Sequence, residues 1–359
     1  MTSTQTPRTV EDLLSAMVAF PSITGQEAEI ASYVAAVGGA VGLDVRRYDD
    51  NVLFKLGQDG PTLFLNSHLD VVPPSSDHPY PPFTPTVVDG ELYARGAVDA
   101  KASGAAMLWA LITLVQTGWK PSSGQVMLGL TYGEEGGPRN GMHDLRPHLP
   151  PIDGAIVGEP TEMQPCVAQK GVLILRGVAR GKTAHAARHT QGKNAISMAM
   201  RDVERLHTMT FDRHDTYLGS PTVNVTVIEG GTAHNVIPDR CTFMIDCRTV
   251  PVYDHDELIE QLSHVMESSL EVVSKRLIPA ATPPGARILE AACRARPDAV
   301  PFGSPTASDW VFLADVPTIK MGPGLSQRSH TAHERMSIAA LREATEQYQR
   351  TIKAFFDHG

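Results

Sequence analysis

The sequence predicts an α/β protein: a mixed, mostly parallel sheet flanked by helices, into which a smaller α+β sandwich is inserted. Apolar strands alternate with helical segments through residues 1–171, a pattern typical of a parallel sheet covered by helices. Between residues 172 and 283 the pattern changes to long alternating strands around two helices. The 359 residues also exceed the size at which one core usually stops growing. We therefore predict a split domain, residues 1–171 and 284–359, interrupted by a second domain at residues 172–283.

The first domain is predicted to begin with two helices and to continue as alternating strands and helices. Apolar residues at helical spacing, interrupted by "PSITGQ", place the opening helices at residues 10–20 and 27–42. The predicted strands are short apolar runs that end in polar residues. The other predicted elements are strands at residues 61–70, 124–132 and 152–160 and helices at residues 99–118, 287–295 and 337–356.

The inserted domain is predicted to have the order strand, helix, strand, strand, helix, strand. This order is typical of a small antiparallel sheet packed with two helices. The proline-rich segment 279–286 is interpreted as the linker back to the first domain. The predicted elements are residues 167–181, 194–209, 222–231, 240–250, 253–270 and 271–278.

Composition excludes several classes of function. Lysine and arginine number 31 against 40 aspartate and glutamate residues, a formal charge of −9, and no basic block could follow a phosphate backbone, so nucleic acid is not an expected partner. There is neither a membrane-spanning apolar run nor a signal-peptide pattern at the start, which predicts a soluble cytoplasmic protein without a membrane partner. The four cysteines lack CxxC spacing and fit a reducing compartment.

Five acids and a histidine follow the predicted strands or enter the long helix. Open α/β sheets bind ligands at the carboxyl ends of their strands, so we expect these side chains to share one site. They are His68 and Asp70 in "SHLD", Asp99 in "RGAVDAK", Glu134 and Glu135 in "TYGEEGG", and Glu159 in "VGEPT".

The adjacent glutamates Glu134 and Glu135 alone would indicate only a solvated turn, because charged pairs beside glycines are usually exposed. A metal explains the whole set better. Histidine nitrogen with aspartate and glutamate oxygens is a zinc ligand set, and two zinc ions about 3.5–4 Å apart can share a carboxylate. One glutamate could then bind metal while its neighbour transfers protons.

Seven motifs occur in the order "SHLDVVPP", "YARGAVDAKASGAA", "YGEEGG", "VGEPT", "ARGKTAHAA", "GGTAHNVIPD" and "GPGLSQRSHTAHE". Together they resemble the dinuclear zinc amidohydrolases, a family that includes acetylornithine deacetylase, succinyl-diaminopimelate desuccinylase, aminoacylase and the glutamate-releasing carboxypeptidases. The motifs span nearly the whole chain. Each is weak alone, whereas their combination is highly specific.

The resemblance implies two zinc ions per chain, for which cobalt can substitute. His68 and Glu159 would bind one ion, Glu135 and His330 would bind the other, and Asp99 would bridge the two. The family also implies a cis peptide bond after Asp99.

Two further roles follow from the same resemblance. Asp70 would hydrogen-bond His68 and fix its tautomer. Glu134 would be the general base that takes a proton from the attacking water and delivers it to the leaving amine.

The last metal ligand requires a choice between His330 and His333. Aligning Glu334 with the glutamate that follows the family's histidine selects His330. His333 and Ala332 then replace an acid and a proline that are frequent in the family, a departure that concerns the rim of the pocket more than the metals.

The resemblance also supplies candidate substrate contacts. His185 matches a histidine that reaches across a dimer to polarise the scissile carbonyl, and Arg248 matches a residue that holds a substrate carboxylate. Asn235 resembles a residue reaching the same pocket, and Ser308 in "ASDW" is a further substrate contact to consider. Without the metal motifs, such residues would more often be ordinary surface groups.

The implied function is hydrolysis of the amide bond of a small-molecule N-acyl amino acid by a homodimer. The overall resemblance favours acetylornithine deacetylation in arginine biosynthesis. A carrier-protein-linked lysine or ornithine hydrolase, a succinyl-diaminopimelate desuccinylase and a metallo-carboxypeptidase are alternatives. A non-enzymatic metal-binding dimeric scaffold is an alternative of another class, but metal storage has no use for a free base such as Glu134.

Overall fold

The computed structural model of the protein describes residues 7–357, which form two compact units. The first unit contains the described residues up to Val167, Thr282–Phe302 and the described residues from Ser308. The second contains Ala168–Ala281 and Gly303–Ala307. Residues 1–6 and 358–359, which the sequence assigns to the first domain, lie outside the described part.

The helices are α1 Val10–Val18, α2 Ala28–Ala40, α3 Lys101–Gln116, α4 Gly141–Leu145, α5 Ala195–Thr208, α6 His255–Val265, α7 Arg287–Ala295 and α8 Ile338–Phe356. The strands up to Gln169 are β1 Asp44–Tyr48, β2 Asn51–Gly57, β3 Thr62–His68, β4 Thr86–Val88, β5 Glu91–Tyr93, β6 Gln125–Thr131, β7 Gly154–Val157 and β8 Cys166–Gln169. The later strands are β9 Gly171–Arg180, β10 Ala184–His185, β11 Thr222–Gly230, β12 Val236–Ile237, β13 Arg240–Thr249, β14 Ser269–Leu277, β15 Ala280–Ala281, β16 Phe302–Ser304, β17 Thr318–Lys320 and β18 Arg335–Ser337.

The main sheet of the first unit has the strand order β1-β2-β6-β3-β7-β17. Its four strands β6, β3, β7 and β17 run parallel, whereas β1 and β2 form an antiparallel edge. The helices α1, α3, α7 and α8 pack with this sheet around one apolar core. The predicted mixed, mostly parallel sheet flanked by helices is therefore confirmed.

The carboxyl ends of β3, β6 and β7 meet at one edge of the sheet. In the parallel register His68 lies opposite Thr131, and Asn66 lies opposite Val157. Gly158 follows β7 against α3, where an added Cβ would lie 2.8 Å from the Cβ of Ser103, so only glycine fits before Glu159. The polar residues that follow these strands therefore emerge side by side.

The second unit is an antiparallel sheet of order β11-β13-β9-β14 packed with α5 and α6. Alternate residues of β13 are buried, as the period of a half-buried strand requires, and Phe243 and Ile245 lie in the core with Leu173 and Leu175 of β9. The elements β9, α5, β11, β13, α6 and β14 follow the predicted order, and the predicted α+β sandwich is confirmed.

One local prediction was wrong, and one small sheet was not predicted. The helix predicted to continue to residue 270 ends at Val265, because the buried Asp202 carboxylate accepts the backbone N–H groups of Glu267 and Ser268 and turns the chain. The short strands β4, β5 and β18, which form a separate three-stranded sheet, were not predicted. No helix within residues 7–357 has the length and apolar character needed to cross a membrane.

Candidate metal centre

The carboxylate of Asp99 lies between two histidines at the edge where the parallel strands end. Its Oδ1 is 3.3 Å from Nε2 of His68, and its Oδ2 is 3.3 Å from Nε2 of His330. His68 is the last residue of β3, and Asp99 precedes α3. One carboxylate thus faces both rings with different oxygen atoms, which is the arrangement that a bridging ligand requires.

A second carboxylate lies beside each histidine. Glu159 Oε1 is 4.0 Å from Nε2 of His68. Glu135 Oε1 and Oε2 are 3.0 and 2.9 Å from Nε2 of His330. Ligand atoms of His68, Asp99 and Glu135 also lie within 4.8 Å of one another. The five residues therefore form two histidine–carboxylate pairs with Asp99 in the middle.

These side chains fit a pair of divalent cations. Two atoms that each bind zinc at about 2.0–2.2 Å can be separated by at most about 4 Å, and both histidine–carboxylate pairs meet that limit. Nitrogen and oxygen donors of this kind suit zinc, and related metals accept them as well. The donor set therefore matches a dinuclear metal site, with no preference for one metal evident from its atoms.

The electrostatics of the cluster also favour a cation. Burial opposes protonation of His68, but hydrogen bonds to Asp70 and Asp99 outweigh it and raise the pKa of the ring well above its usual value. Hydrogen bonds to Asp99 and Glu135 raise the pKa of His330 to about 10. Burial, with the charge of Asp99, raises the pKa of Glu159 to about 8. The surroundings thus stabilise positive charge at the rings and disfavour another negative one.

The turn that carries the two glutamates is held through its backbone. The Asp70 carboxylate accepts the N–H of Glu134 at 3.0 Å and that of Glu135 at 3.1 Å. The Glu27 carboxylate accepts the N–H of Gly133 at 3.2 Å. Because both acceptors are buried carboxylates, the turn after β6 has one well-defined position.

Asp70 also orients His68. Nδ1 of His68 lies 2.9 Å from the backbone oxygen of Asp70 and 3.4 Å from its carboxylate Oδ1. A proton on Nδ1 satisfies these acceptors and leaves Nε2 facing Asp99.

Glu134 and Glu135 occupy different surroundings although they are adjacent. Glu135 contacts His330, whereas within residues 7–357 no side chain donates a hydrogen bond to the Glu134 carboxylate. Burial raises the pKa of Glu134 well above its usual value, against the opposing charge of His68 and with help from the charge of Glu159. A carboxylate with raised pKa near the cluster has the character of a proton acceptor and donor.

The loop before α3 is fixed by Glu334, whose importance the sequence did not reveal. The expected cis peptide bond between Asp99 and Ala100 is present, which confirms that prediction. The buried carboxylate of Glu334 accepts the N–H of Asp99 at 3.0 Å and that of Val98 at 2.8 Å. The sequence signal for Glu334 was its match to the glutamate that follows the family's histidine, which by itself assigned no role to the side chain.

Two more residues near the site were missed. Thr24, in the segment "PSITGQ" between the opening helices, donates its hydroxyl to Asp70 at 2.8 Å. Asp309 accepts hydrogen bonds from Asn140 at 2.8 Å and from Thr131 at 3.2 Å, and burial raises its pKa to about 6. Neither residue lies in a recognisable metal-ligand motif, so only the folded chain reveals their contacts.

The candidates for substrate binding lie elsewhere in the chain. In the second unit His185 is exposed on β10, opposite Val236 of β12, and the backbone oxygen of Asn235 accepts the N–H of Ala186 at 2.9 Å. Arg248, on β13, forms a two-point ion pair with Asp246, at 2.8 and 3.2 Å.

Ser308 belongs to the first unit and is buried. Its hydroxyl accepts the backbone N–H of Trp310 at 3.4 Å and caps the short 3-10 helix Asp309–Leu313. The hydroxyl thus has a structural role at this position.

Comparison with known proteins defines the class. Residues 64–354 match the model of peptidase family M20/M25/M40, and the chain therefore belongs to this family of metal-dependent hydrolases. A succinyl-diaminopimelate desuccinylase of Alkalilimnicola ehrlichii is 30% identical over 272 residues, which are 71% of this chain and 72% of that protein.

Solved structures show the same fold. The aminopeptidase PepT of Bacillus cereus matches with a TM-score of 0.80 and 21% identity over 96% of this chain and 98% of that chain. The YXEP protein of Bacillus subtilis, described as a dinuclear metal-binding peptidase of the M20 family, matches with a TM-score of 0.76 and 17% identity over 96% of both chains.

These comparisons confirm the family resemblance and the expectation of a metal-dependent amidohydrolase. They do not support the expected place in arginine biosynthesis, because the relatives that match over most of this chain include several desuccinylases of succinyl-diaminopimelate. The alternative substrate is thus better supported than acetylornithine.

Proposed function

We propose that the protein hydrolyses the amide bond of an N-acyl amino acid at a site that binds two divalent cations, with zinc as the expected metal. His68 and Glu159 would hold one ion, Glu135 and His330 would hold the other, and Asp99 would be shared between them. The observation that carries this proposal is the position of Asp99, whose two oxygens each lie 3.3 Å from a different histidine Nε2. A bridging carboxylate is what a two-metal hydrolase needs.

The substrate that we propose first is an N-succinyl amino acid of the succinyl-diaminopimelate type. Two succinyl-diaminopimelate desuccinylases, which match this chain over 72% and 98% of their own lengths, support that choice. The alternative substrates, which the same assay tests, are N-acetylornithine, carrier-linked lysine or ornithine, and peptides.

The cations, when bound, polarise the acyl carbonyl and lower the pKa of the attacking water. Glu134 accepts the proton of that water and delivers it to the nitrogen of the leaving amine, so that the C–N bond breaks while the new C–O bond is retained. Asp70 holds Glu134 through its backbone N–H and keeps His68 oriented through Nδ1. The backbone that carries the base is therefore held in place during both proton transfers.

His185 is the proposed donor to the developing oxyanion. Its Nδ1 accepts the backbone N–H of Ala187 at 3.1 Å, so the proton of the neutral ring lies on Nε2. Nε2 is then available to donate to a carbonyl oxygen that gains negative charge. We propose that His185 serves the active site of a partner subunit in a homodimer and that Arg248 binds a substrate carboxylate, with Asn235 and Ser308 as further contacts.

A substrate panel tests the proposed function. Zinc-loaded protein is assayed for amine release from succinyl-diaminopimelate, acetylornithine, acetylcitrulline, acetyllysine, glutamyl peptides, a tripeptide and a carrier-linked amine, with Glu134→Gln protein as control. We expect succinyl-diaminopimelate to have the highest kcat/KM. Preference for a tripeptide would replace the deacylase assignment by a peptidase, and metal binding without any turnover would favour the scaffold.

A further inference from the structure

We propose that the buried ion pair of Arg95 and Glu334 is a positioning device that sets the distance between the loops carrying Asp99 and His330, and thereby the affinity for metal. This inference rests on the proposed metal-binding function and adds two residues that touch neither metal nor substrate. The two side chains are each 2% exposed or less, and their closest atoms, Arg95 Nη1 and Glu334 Oε2, are 2.6 Å apart.

The Glu334 carboxylate uses both of its oxygens to hold the loop that ends in Asp99. Oε1 accepts the backbone N–H groups of Val98 and Asp99 at 2.8 and 3.0 Å. Oε2 accepts the N–H of Gly96 at 3.0 Å in addition to the Arg95 contact. Since three backbone donors within four residues of one loop converge on a single carboxylate, the backbone that carries Asp99 follows the position of Glu334.

The same pair reaches the second loop. Glu334 lies four residues after His330, and Arg95 directs Nη2 towards the backbone oxygen of His330 at 3.5 Å. His330 has a φ angle of 62°, a left-handed conformation that is uncommon for residues other than glycine. The pair therefore links the backbone positions of the two loops that carry Asp99 and His330.

Short strands bring the pair together. Strand β5 ends two residues before Arg95, strand β18 begins one residue after Glu334, and Tyr93 lies opposite Arg335 in their antiparallel register. This small sheet therefore holds the loop that carries Asp99 close to the loop that carries His330.

The chemistry of the carboxylate makes the idea testable with an isosteric variant. Each oxygen of the Glu334 carboxylate accepts two hydrogen bonds. In Glu334→Gln an NH₂ group replaces one oxygen, so two of the four hydrogen bonds are lost whichever way the amide turns. The amide keeps the volume but loses the hydrogen-bond pattern. We therefore expect Glu334→Gln to misplace Asp99 although no ligand has been changed.

A matched control exists in the second unit. The buried Asp202 carboxylate also accepts two backbone N–H groups, those of Glu267 and Ser268 at 2.8 and 2.9 Å, and is paired with Arg205 at 3.3 Å. Asp202→Asn removes the same kind of interaction from a residue outside the proposed site. It should lower the thermal midpoint of unfolding while the metal affinity of the folded protein stays that of the wild type.

The experiment is a titration of the metal-free full-length proteins with Co²⁺, followed by the visible absorption of the bound ion and by competition with a chelator. We expect Glu334→Gln to raise the dissociation constant of at least one ion about 10–100-fold and to alter the absorption spectrum. Arg95→Lys, which keeps the charge but loses the contact with His330, should show a smaller increase. Asp202→Asn should show none.

The outcomes separate this inference from the proposed function. Wild-type affinity and spectrum in folded Glu334→Gln protein would overturn the positioning role while leaving the metal site intact. If Glu334→Gln does not fold, Arg95→Lys decides in the same way, and unchanged affinity overturns the inference. A wild-type protein that binds no metal, or His330→Ala protein that binds both ions as tightly as wild type, would instead reject the proposed ligand set.

Discussion

The Asp70 carboxylate accepts the backbone N–H of Glu134 at 3.0 Å, and its second oxygen accepts that of Glu135. The residue that orients His68 thus also places the proposed base. The Asp70 carboxylate, two residues beyond β3, connects the carboxyl end of that strand to the turn after β6. Proton transfer by Glu134 and metal binding by Glu135, the two functions proposed for this turn, therefore depend on one side chain.

The first prediction concerns this contact. In Asp70→Asn the NH₂ group must face one of the two glutamate N–H groups, and we expect kcat to fall about 10–100-fold with both ions still bound at saturating metal. Asp153→Asn is the control. Asp153 accepts only one backbone N–H among the hydrogen bonds described, that of Thr62 at 2.7 Å, and the amide oxygen of asparagine can accept the same N–H. Equal turnover in Asp70→Asn and wild type would show that the turn keeps its position without the carboxylate.

A pH prediction concerns His255 in the second unit. Burial lowers its pKa against the opposing backbone acceptor of Lys275 and the charges of Asp256 and Asp254. The folded state prefers the neutral ring, so this contribution to stability is complete above the unfolded pKa of about 6.5 and is lost as the pH falls below it. Urea unfolding at pH 7.5 and 5.5 should therefore show a larger loss of stability in wild type than in His255→Asn. Equal losses of unfolding free energy in the two proteins would contradict a lowered pKa of His255 in the folded state.

The proposal that His185 serves the active site of the partner subunit can be tested by mixing two inactive proteins. If His185 acts on the site of the other subunit, a dimer of one His185→Ala subunit and one Glu134→Gln subunit contains one complete site. Random exchange of equal amounts makes half of the dimers mixed, so about a quarter of wild-type activity should return. Verified exchange without recovery would place His185 in the site of its own chain or outside any site.

Arg248 should distinguish substrates by their charge. Its guanidinium now pairs with Asp246 and is 42% exposed, so it can exchange this partner for a substrate carboxylate. Arg248→Ala should raise KM strongly for substrates with a free carboxylate and less for their carboxamide analogues. Arg240→Ala, on the same strand, is the control. Equal losses for both kinds of substrate would mean that Arg248 has a structural role.

The sequence predicted the fold well because its signals are local. Apolar periodicity placed β3, β6, β7 and the long helix α3, and the residues after those strands met at one edge because parallel strands end together. The contacts of Glu334 and Asp309 could not be predicted, because each depends on partners far away in sequence. Arg95 and Glu334 are 239 residues apart, and the three-residue strands that join them carry too little pattern to recognise.

The measurement that tests the central claim most directly is metal content beside turnover for two variants of adjacent glutamates. Glu134→Gln should retain two ions per chain while kcat falls by about 10²–10⁴, because only the proton acceptor is lost. Glu135→Gln should bind one ion more weakly, and excess metal should restore part of its activity but none of the activity of Glu134→Gln. Loss of metal from Glu134→Gln, with two ions retained by an inactive Glu135→Gln, would reverse the two roles, and full activity in both variants would contradict the account.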